Sequence, residues 1–269
     1  MRSRSSRLVV AVVVLLLMAT PAAAQDLPTA VRFDGVGFAL DASLGSSVNN
    51  TLVPGDPPDA QMLCCPHPAS LVFTVYDARA EGRRVPRVGD ASVTVRAYRT
   101  ADLAGYQEVG AREAALEALL AERPDLAAST AAGTDALPFL PGFEAAQVLR
   151  AAPTYVDAPG VSGVAYLTAY AQDLFPFSSD SIWYTFQGLS TDGEWYVAVL
   201  AMLDTGLLPE QVTDRQVQRA VRDWEAYLAR TVRKLEGAGP GAFTPTLAAV
   251  DGLVRSLTFG EQPAETSTP

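Results

Sequence analysis

The chain has 269 residues, 49% hydrophobic and 19% charged, and carries a formal charge of −10. That balance belongs to a globular protein with a substantial core and excludes a chain too polar to fold. The acidity argues against a nucleic-acid partner, because an acidic surface repels phosphate backbones.

The first 24 residues read as a signal peptide. Arg2, Arg4 and Arg7 precede an apolar run of 11 residues, Leu8 to Met18, and Pro21 leads into Ala22, Ala23 and Ala24 before Gln25. Basic, apolar and small segments in that order form an export signal, here cleaved near Ala24. Eleven apolar residues fall short of the roughly 20 that span a bilayer, and no long apolar stretch follows, so no membrane span is expected. Cleavage removes three arginines and takes the charge from −10 to −13. The expected location is secreted or extracytoplasmic, in a bacterial setting, with one domain over residues 25–259 and a disordered tail over 260–269.

Val36 to Leu40 is the first candidate strand, followed by a polar stretch from Asp41 to Ser70 read as loop. Leu71 to Tyr76 and Ala91 to Tyr98 are β-rich; Val93, Val95 and Ala97 alternate with Thr94, Arg96 and Tyr98. A basic turn, Arg79 to Arg87, lies between them. Val109 to Glu122 has helix-forming composition and ends at Pro124, and Asp125 to Ala136 reads as a surface connection. Phe143 to Val156 is a strand in which Pro153 predicts an edge or bulge. Gly163 to Tyr170 alternates. Ile182 to Leu189 and Trp195 to Leu203 flank Ser190-Thr191-Asp192-Gly193, an Asp-Gly hairpin signal.

Two helices close the chain. Thr213 and Gln216 form a capping box, and Val217, Val221, Trp224, Leu228, Val232 and Leu235 repeat at helical spacing, which predicts one continuous helix over Asp214–Glu236 ended by Gly237. Thr244-Pro245 predicts the start of a shorter helix, Thr246–Leu257, with the stripe Leu247, Val250, Val254 and Leu257. The expected fold is α+β, an antiparallel β-sheet with one face packed by these C-terminal helices.

Several segments resemble a family of uncharacterised exported bacterial proteins: Gly35-Val36-Gly37-Phe38-Ala39-Leu40-Asp41, Leu137-Pro138-Phe139-Leu140-Pro141, Ala145-Ala146-Gln147-Val148, Gly163-Val164-Ala165-Tyr166-Leu167-Thr168 and Tyr184-Thr185-Phe186-Gln187-Gly188-Leu189. The resemblance implies a shared fold and export and carries no activity with it. A looser likeness, through the order of elements and the ending Arg255-Ser256-Leu257-Thr258-Phe259, is to PsbP/Mog1-type α/β/α sandwich proteins, which mostly bind or assist; a fold alone does not fix function.

Cys64-Cys65-Pro66-His67 is the unusual chemical cluster, and it holds the only two cysteines and the only histidine. It is compatible with a vicinal disulfide acting as a ligand platform or redox switch, or with two incidental loop cysteines. A metal site would need Asp56 or Asp59 to complete a ligand set, and no metal is assigned. A Ser-His-Asp site would have to use His67, and no Gly-x-Ser-x-Gly elbow is present. A carboxylate-pair hydrolase could draw on Asp173, Asp180, Asp192, Glu194 or Asp204. No Ca²⁺-loop spacing occurs, and Asn49-Asn50-Thr51 matches a glycosylation acceptor read as chance.

Aromatic residues crowd the sheet half. Tyr166, Tyr170, Phe175, Phe177, Trp183, Tyr184 and Trp195 are the candidate ligand-binding residues, with the loop Gln172 to Ser181 as a rim. The first reading is therefore an exported, non-catalytic binding or accessory protein for a peptide, glycan, lipid or protein partner, with no assigned catalytic residue or cofactor. The second is a secreted hydrolase using a carboxylate pair in an aromatic cleft. The third is a redox or metal-handling protein built on Cys64, Cys65 and His67.

Overall fold

The computed structural model describes residues 28–60, 65–76, 91–127 and 137–260. The signal segment, the basic turn Arg79 to Arg87, most of the 125–136 connection, Cys64 and the tail from 261 lie outside the described residues. Among the described residues, no helix is long and apolar enough to cross a membrane.

Seven antiparallel strands form the main sheet: β3 (Ser47–Val53), β4 (Ser70–Tyr76), β5 (Ala91–Arg99), β6 (Ala146–Ala158), β7 (Val161–Ala171), β8 (Ile182–Ser190) and β9 (Trp195–Thr205), in the order β3-β4-β5-β9-β8-β7-β6. The chain is α+β, as its composition of segments predicts. The Asp-Gly turn joins β8 to β9, and Gly193 takes the positive φ of 74° that such a turn requires. Strand β6 slips register between Ala151 and Thr154, the bulge that Pro153 predicts at an edge. Strand β3 corrects the reading of 41–70 as loop. Its residues are polar because it is an edge strand with exposed side chains, held by backbone pairing to β4, so it lacks the apolar alternation that marks a strand in sequence.

Both faces of the sheet are covered, which corrects the expectation of one. On one face, Phe73, Val95, Val199, Phe186 and Leu167 meet a small sheet of β1 (Thr29–Phe33), β2 (Val36–Leu40) and β11 (Thr258–Phe259), together with C-terminal helices. On the other, Tyr98, Tyr196, Ala198 and Tyr166 meet the short α1 (Thr100–Leu103), α2 (Gln107–Glu122) and the 137–143 segment. Period-two alternation sends Val95 and Ala97 of β5 to the first face and Tyr98 to the second, and Val197 and Val199 of β9 to the first and Tyr196 and Ala198 to the second.

The predicted Asp214–Glu236 helix is two helices, α3 (Asp214–Arg222) and α4 (Trp224–Glu236). Asp223 leaves helical geometry at φ −148°, ψ 72°, and its carboxylate accepts from the Ala226 N–H, so it caps a new helix inside the apolar stripe. The break turns Val221 outward, 46% exposed, and buries Ala220 instead. The capping box at Thr213 and Gln216 is present. The last helix, α5 (Leu247–Arg255), is capped by Thr246 rather than Thr244, because Thr244 is taken up in β10 (Phe243–Thr244), which pairs with β9.

Candidate functional site: an aromatic cleft at the end of the sheet

Sheet registry divides the seven candidate aromatics. Tyr166, Tyr170 and Trp183 face the α2 side, whereas Phe177, Tyr184 and Trp195 belong to the opposite core and are buried. Tyr184 donates to Asp251 Oδ1 at 2.6 Å, and Trp195 lies 3.8 Å beneath the Arg99 guanidinium. Tyr184 and Trp195 are engaged within that core, and Phe177 packs on Trp224 and Tyr227, away from the cleft. Tyr166 is also buried, donating to the Pro138 carbonyl at 2.8 Å. Tyr170, Trp183 and Phe175 remain, and they converge.

They line an open cleft of about 520 Å³ with Phe143, Glu144 and Asp173. Phe143 was absent from the sequence-derived set, although it stands just before β6. Its ring lies 5.3 Å from both Tyr170 and Trp183, nearly edge-on to each. Phe139 backs Tyr170 at 4.7 Å. Such edge and tilted contacts are favourable for aromatic pairs, so the rings support one another as a wall. Phe175 and Leu174 form an exposed rim at 53% and 50%. Met202, the cross-strand partner of Trp183, is 50% exposed and extends the apolar surface along the sheet.

Two glutamines, Gln147 on β6 and Gln187 on β8, hold this wall in place. Gln147 donates to the Tyr170 hydroxyl at 2.9 Å and accepts from the Leu137 N–H at 3.1 Å. Gln187, fully buried, accepts from the Leu140 N–H at 2.9 Å and from the Tyr196 hydroxyl at 2.7 Å, and donates to the Leu140 carbonyl at 3.2 Å. The 137–143 segment is thereby fixed to the sheet, and with it Phe139 and Phe143. A satisfied buried polar network of this kind gives rigidity to the site it supports. Burial pushes the Tyr170 hydroxyl well above its usual range, so it stays a neutral phenol. At the cleft mouth, the Gln172 amide donates to the Glu144 carbonyl at 2.7 Å and ties the two sides.

Of the carboxylates weighed for catalysis, the cleft holds Asp173 alone, with Glu144 as its neighbour. Asp192 is engaged in the hairpin turn by Ser190 and the Glu194 N–H, Asp180 accepts from Ser178, and Glu194 pairs with Arg99.

The cysteine loop lies elsewhere, beside α2. Cys65 is disulfide-bonded and takes a positive φ of 31°; Cys64, the other cysteine of the sequence, lies outside the described residues. Cys65 lines a cleft of about 290 Å³ with Tyr106, Arg112 and Gly142. His67 and Asp56 clamp each other: the His67 N–H donates to Asp56 Oδ2, and the Asp56 N–H donates to the His67 carbonyl, both at 2.9 Å. Burial, with the Arg96 and Arg112 charges, holds the imidazole below its ordinary value against the opposing pull of Asp56. Its Nδ1 is buried with no partner. Among the described residues, no three His, Cys, Asp or Glu side chains converge on a metal position.

The chain matches no protein-family model, and no curated protein is similar to it at a significant level.

Proposed function

We propose that this is an exported binding or accessory protein whose aromatic cleft holds a glycan. The observation that carries the reading is the wall of Phe143, Tyr170 and Trp183, rigidly braced and left open beside an exposed Phe175. A sugar ring presents a weakly apolar face that stacks on aromatic surface, and its hydroxyls donate to carboxylates such as Glu144 and Asp173. A cleft with a few placed polar groups on an apolar lining is the usual form of a small-molecule site. A peptide adding to the nearby sheet edge is disfavoured, because β6 there is bulged between Gln147 and Leu149. Export rests on the arginine, apolar and alanine pattern of residues 1–24. The resemblance to exported bacterial proteins and to PsbP/Mog1-type sandwiches belongs to the same proposal.

Titration with soluble oligosaccharides, followed by tryptophan fluorescence and calorimetry, tests it. Saturable binding is expected, with Trp183→Ala weakening affinity at least tenfold and circular dichroism verifying that the variant is folded. If no glycan saturates the wild-type protein, the reading fails.

The presence of both Glu144 and Asp173 in the cleft favours one second reading, a glycan hydrolase working through that pair. Glu144→Gln and Asp173→Asn would then each abolish turnover of a bound oligosaccharide and leave binding in place.

A further inference from the structure

The break in the predicted long helix opens a groove on the opposite side of the molecule. α3 diverges from α4 at Asp223, and the segment after β9 runs alongside, leaving a space of about 270 Å³. Its floor is Phe177, Ala220 and Tyr227, and its wall is Leu208, Pro209 and Val212. Three cations, Arg219, Arg230 and Lys234, stand on its rim, and no acidic side chain lines it. None of the three makes an ion pair or side-chain hydrogen bond among the described residues. Arg219 and Lys234 lie in the last turns of their helices, where a cation complements the helix dipole; Arg230 lies outside the last turn and has no such role. Three unpaired cations around an apolar hollow are unexpected in a chain of net charge −10.

Several polar groups within the groove are already engaged. The Tyr227 hydroxyl accepts from the Phe177 N–H at 2.7 Å, and the Thr231 hydroxyl donates to the Tyr227 carbonyl at 3.0 Å. The Gln216 side-chain oxygen accepts from Thr213 in the capping box. The floor therefore offers a ligand apolar contact and little hydrogen bonding, which suits a hydrocarbon tail better than a peptide backbone or a sugar. Pockets for drug-sized molecules run to about 300–1,000 Å³. At about 270 Å³ this one fits a single chain rather than a two-chain lipid.

We propose that the groove between α3 and α4 binds a single-chain anionic amphiphile, an acyl carboxylate, with its tail over Phe177 and Tyr227 and its carboxylate between Arg219, Arg230 and Lys234. This second site shares no lining residue with the aromatic cleft and does not depend on the glycan reading.

Decanoate, decanol and vesicles of anionic phospholipid are the probes, used with the full exported chain. Trp224, stacked on Tyr227 at 5.2 Å between ring centres, reports occupancy by its fluorescence, and calorimetry gives stoichiometry. The expected result is one-to-one saturable binding of decanoate below its micellar concentration, with decanol at least tenfold weaker. The double variant Arg230→Gln/Lys234→Gln, and separately Arg219→Gln, should each weaken decanoate at least fivefold; all three residues are exposed, and an unchanged melting temperature verifies the fold. Equal affinity for decanol, unaltered binding by both variants, or no saturation by decanoate overturns the proposal. Binding to vesicles without binding of free decanoate would assign the cations to a membrane surface and overturn it as well.

Discussion

Arg123 acts twice at the end of α2. It takes the left-handed backbone conformation at φ 45° that ends the helix, with its N–H bonded to the Leu119 carbonyl, and its guanidinium reaches across to Asp157 on β6. Two guanidinium nitrogens meet the two carboxylate oxygens, a fork-to-fork geometry, and Ser162 donates to the same carboxylate. The Arg123 and Ser162 hydrogen bonds pull Asp157 down to about 2. A depressed carboxyl stabilises the fold above its unfolded value near 4, and that contribution is lost as pH falls through 2. Asp157→Asn should therefore be less stable than wild type at neutral pH, with the gap closing between about pH 4 and pH 2. Denaturant midpoints across that range check it; a gap that stays constant would show that the carboxylate charge contributes nothing. The pair is solvent-exposed on both sides, so the effect is small.

At the scale of elements, the pairing of β7 with β8 depends on two glycines facing each other. Gly163 and Gly188 are cross-strand partners, and the Phe186 ring occupies the space that their side chains would fill. A β-carbon on Gly188 would fall 2.4 Å from Phe186 Cζ, and one on Gly163 would fall 2.5 Å from the same ring. Gly188→Ala should cost about 1–3 kcal/mol, the range for overpacking a filled core, read as a lowered denaturant midpoint with unchanged slope. The double variant Gly188→Ala/Phe186→Leu should recover part of the loss by removing the clashing atoms. No recovery would place the cause in the backbone. The division of the helical segment at Asp223 works at the same scale: one capping carboxylate converts an apolar stripe into two helices and opens the groove between them.

At the scale of the molecule, the sheet lies between the two concave surfaces. The aromatic cleft opens on the α2 face, the cation-rimmed groove on the α3–α4 face, and the 172–181 segment passes between them, with Phe175 at the cleft and Phe177 in the groove floor. Phe177 is buried against Trp224 and Tyr227 and its N–H is bonded to the Tyr227 hydroxyl, which fixes the segment at its centre. Sites without shared partners behave additively. Trp183→Ala should thus leave decanoate affinity within about twofold of wild type, and the Arg230/Lys234 double variant should do the same for a glycan. Coupling above about threefold in either direction would mean that the segment transmits a change between the faces.

Strand alternation in β5, β7, β8 and β9, the Asp-Gly hairpin, the bulge at Pro153 and the capping box at Thr213 were all legible in the sequence, because each depends on residues close together in the chain. The aromatic cleft is legible in part: Tyr170, Phe175 and Trp183 stand out as aromatics of the sheet half, while Phe143 reads as strand and Phe177, Tyr184 and Trp195 turn to the other core. Composition predicts that aromatics gather in the sheet, but which of them meet is set by strand order and register. Strand β3 escaped for a related reason, since an edge strand held by backbone bonds needs no apolar pattern. Periodicity, capping and turn chemistry act within a few residues, so the local elements and the α+β class follow from the chain's own pattern. That both faces of the sheet are covered, that Gln147 and Gln187 brace the cleft wall, and that three cations share one groove emerges in the folded molecule alone, because those contacts join residues far apart in the chain.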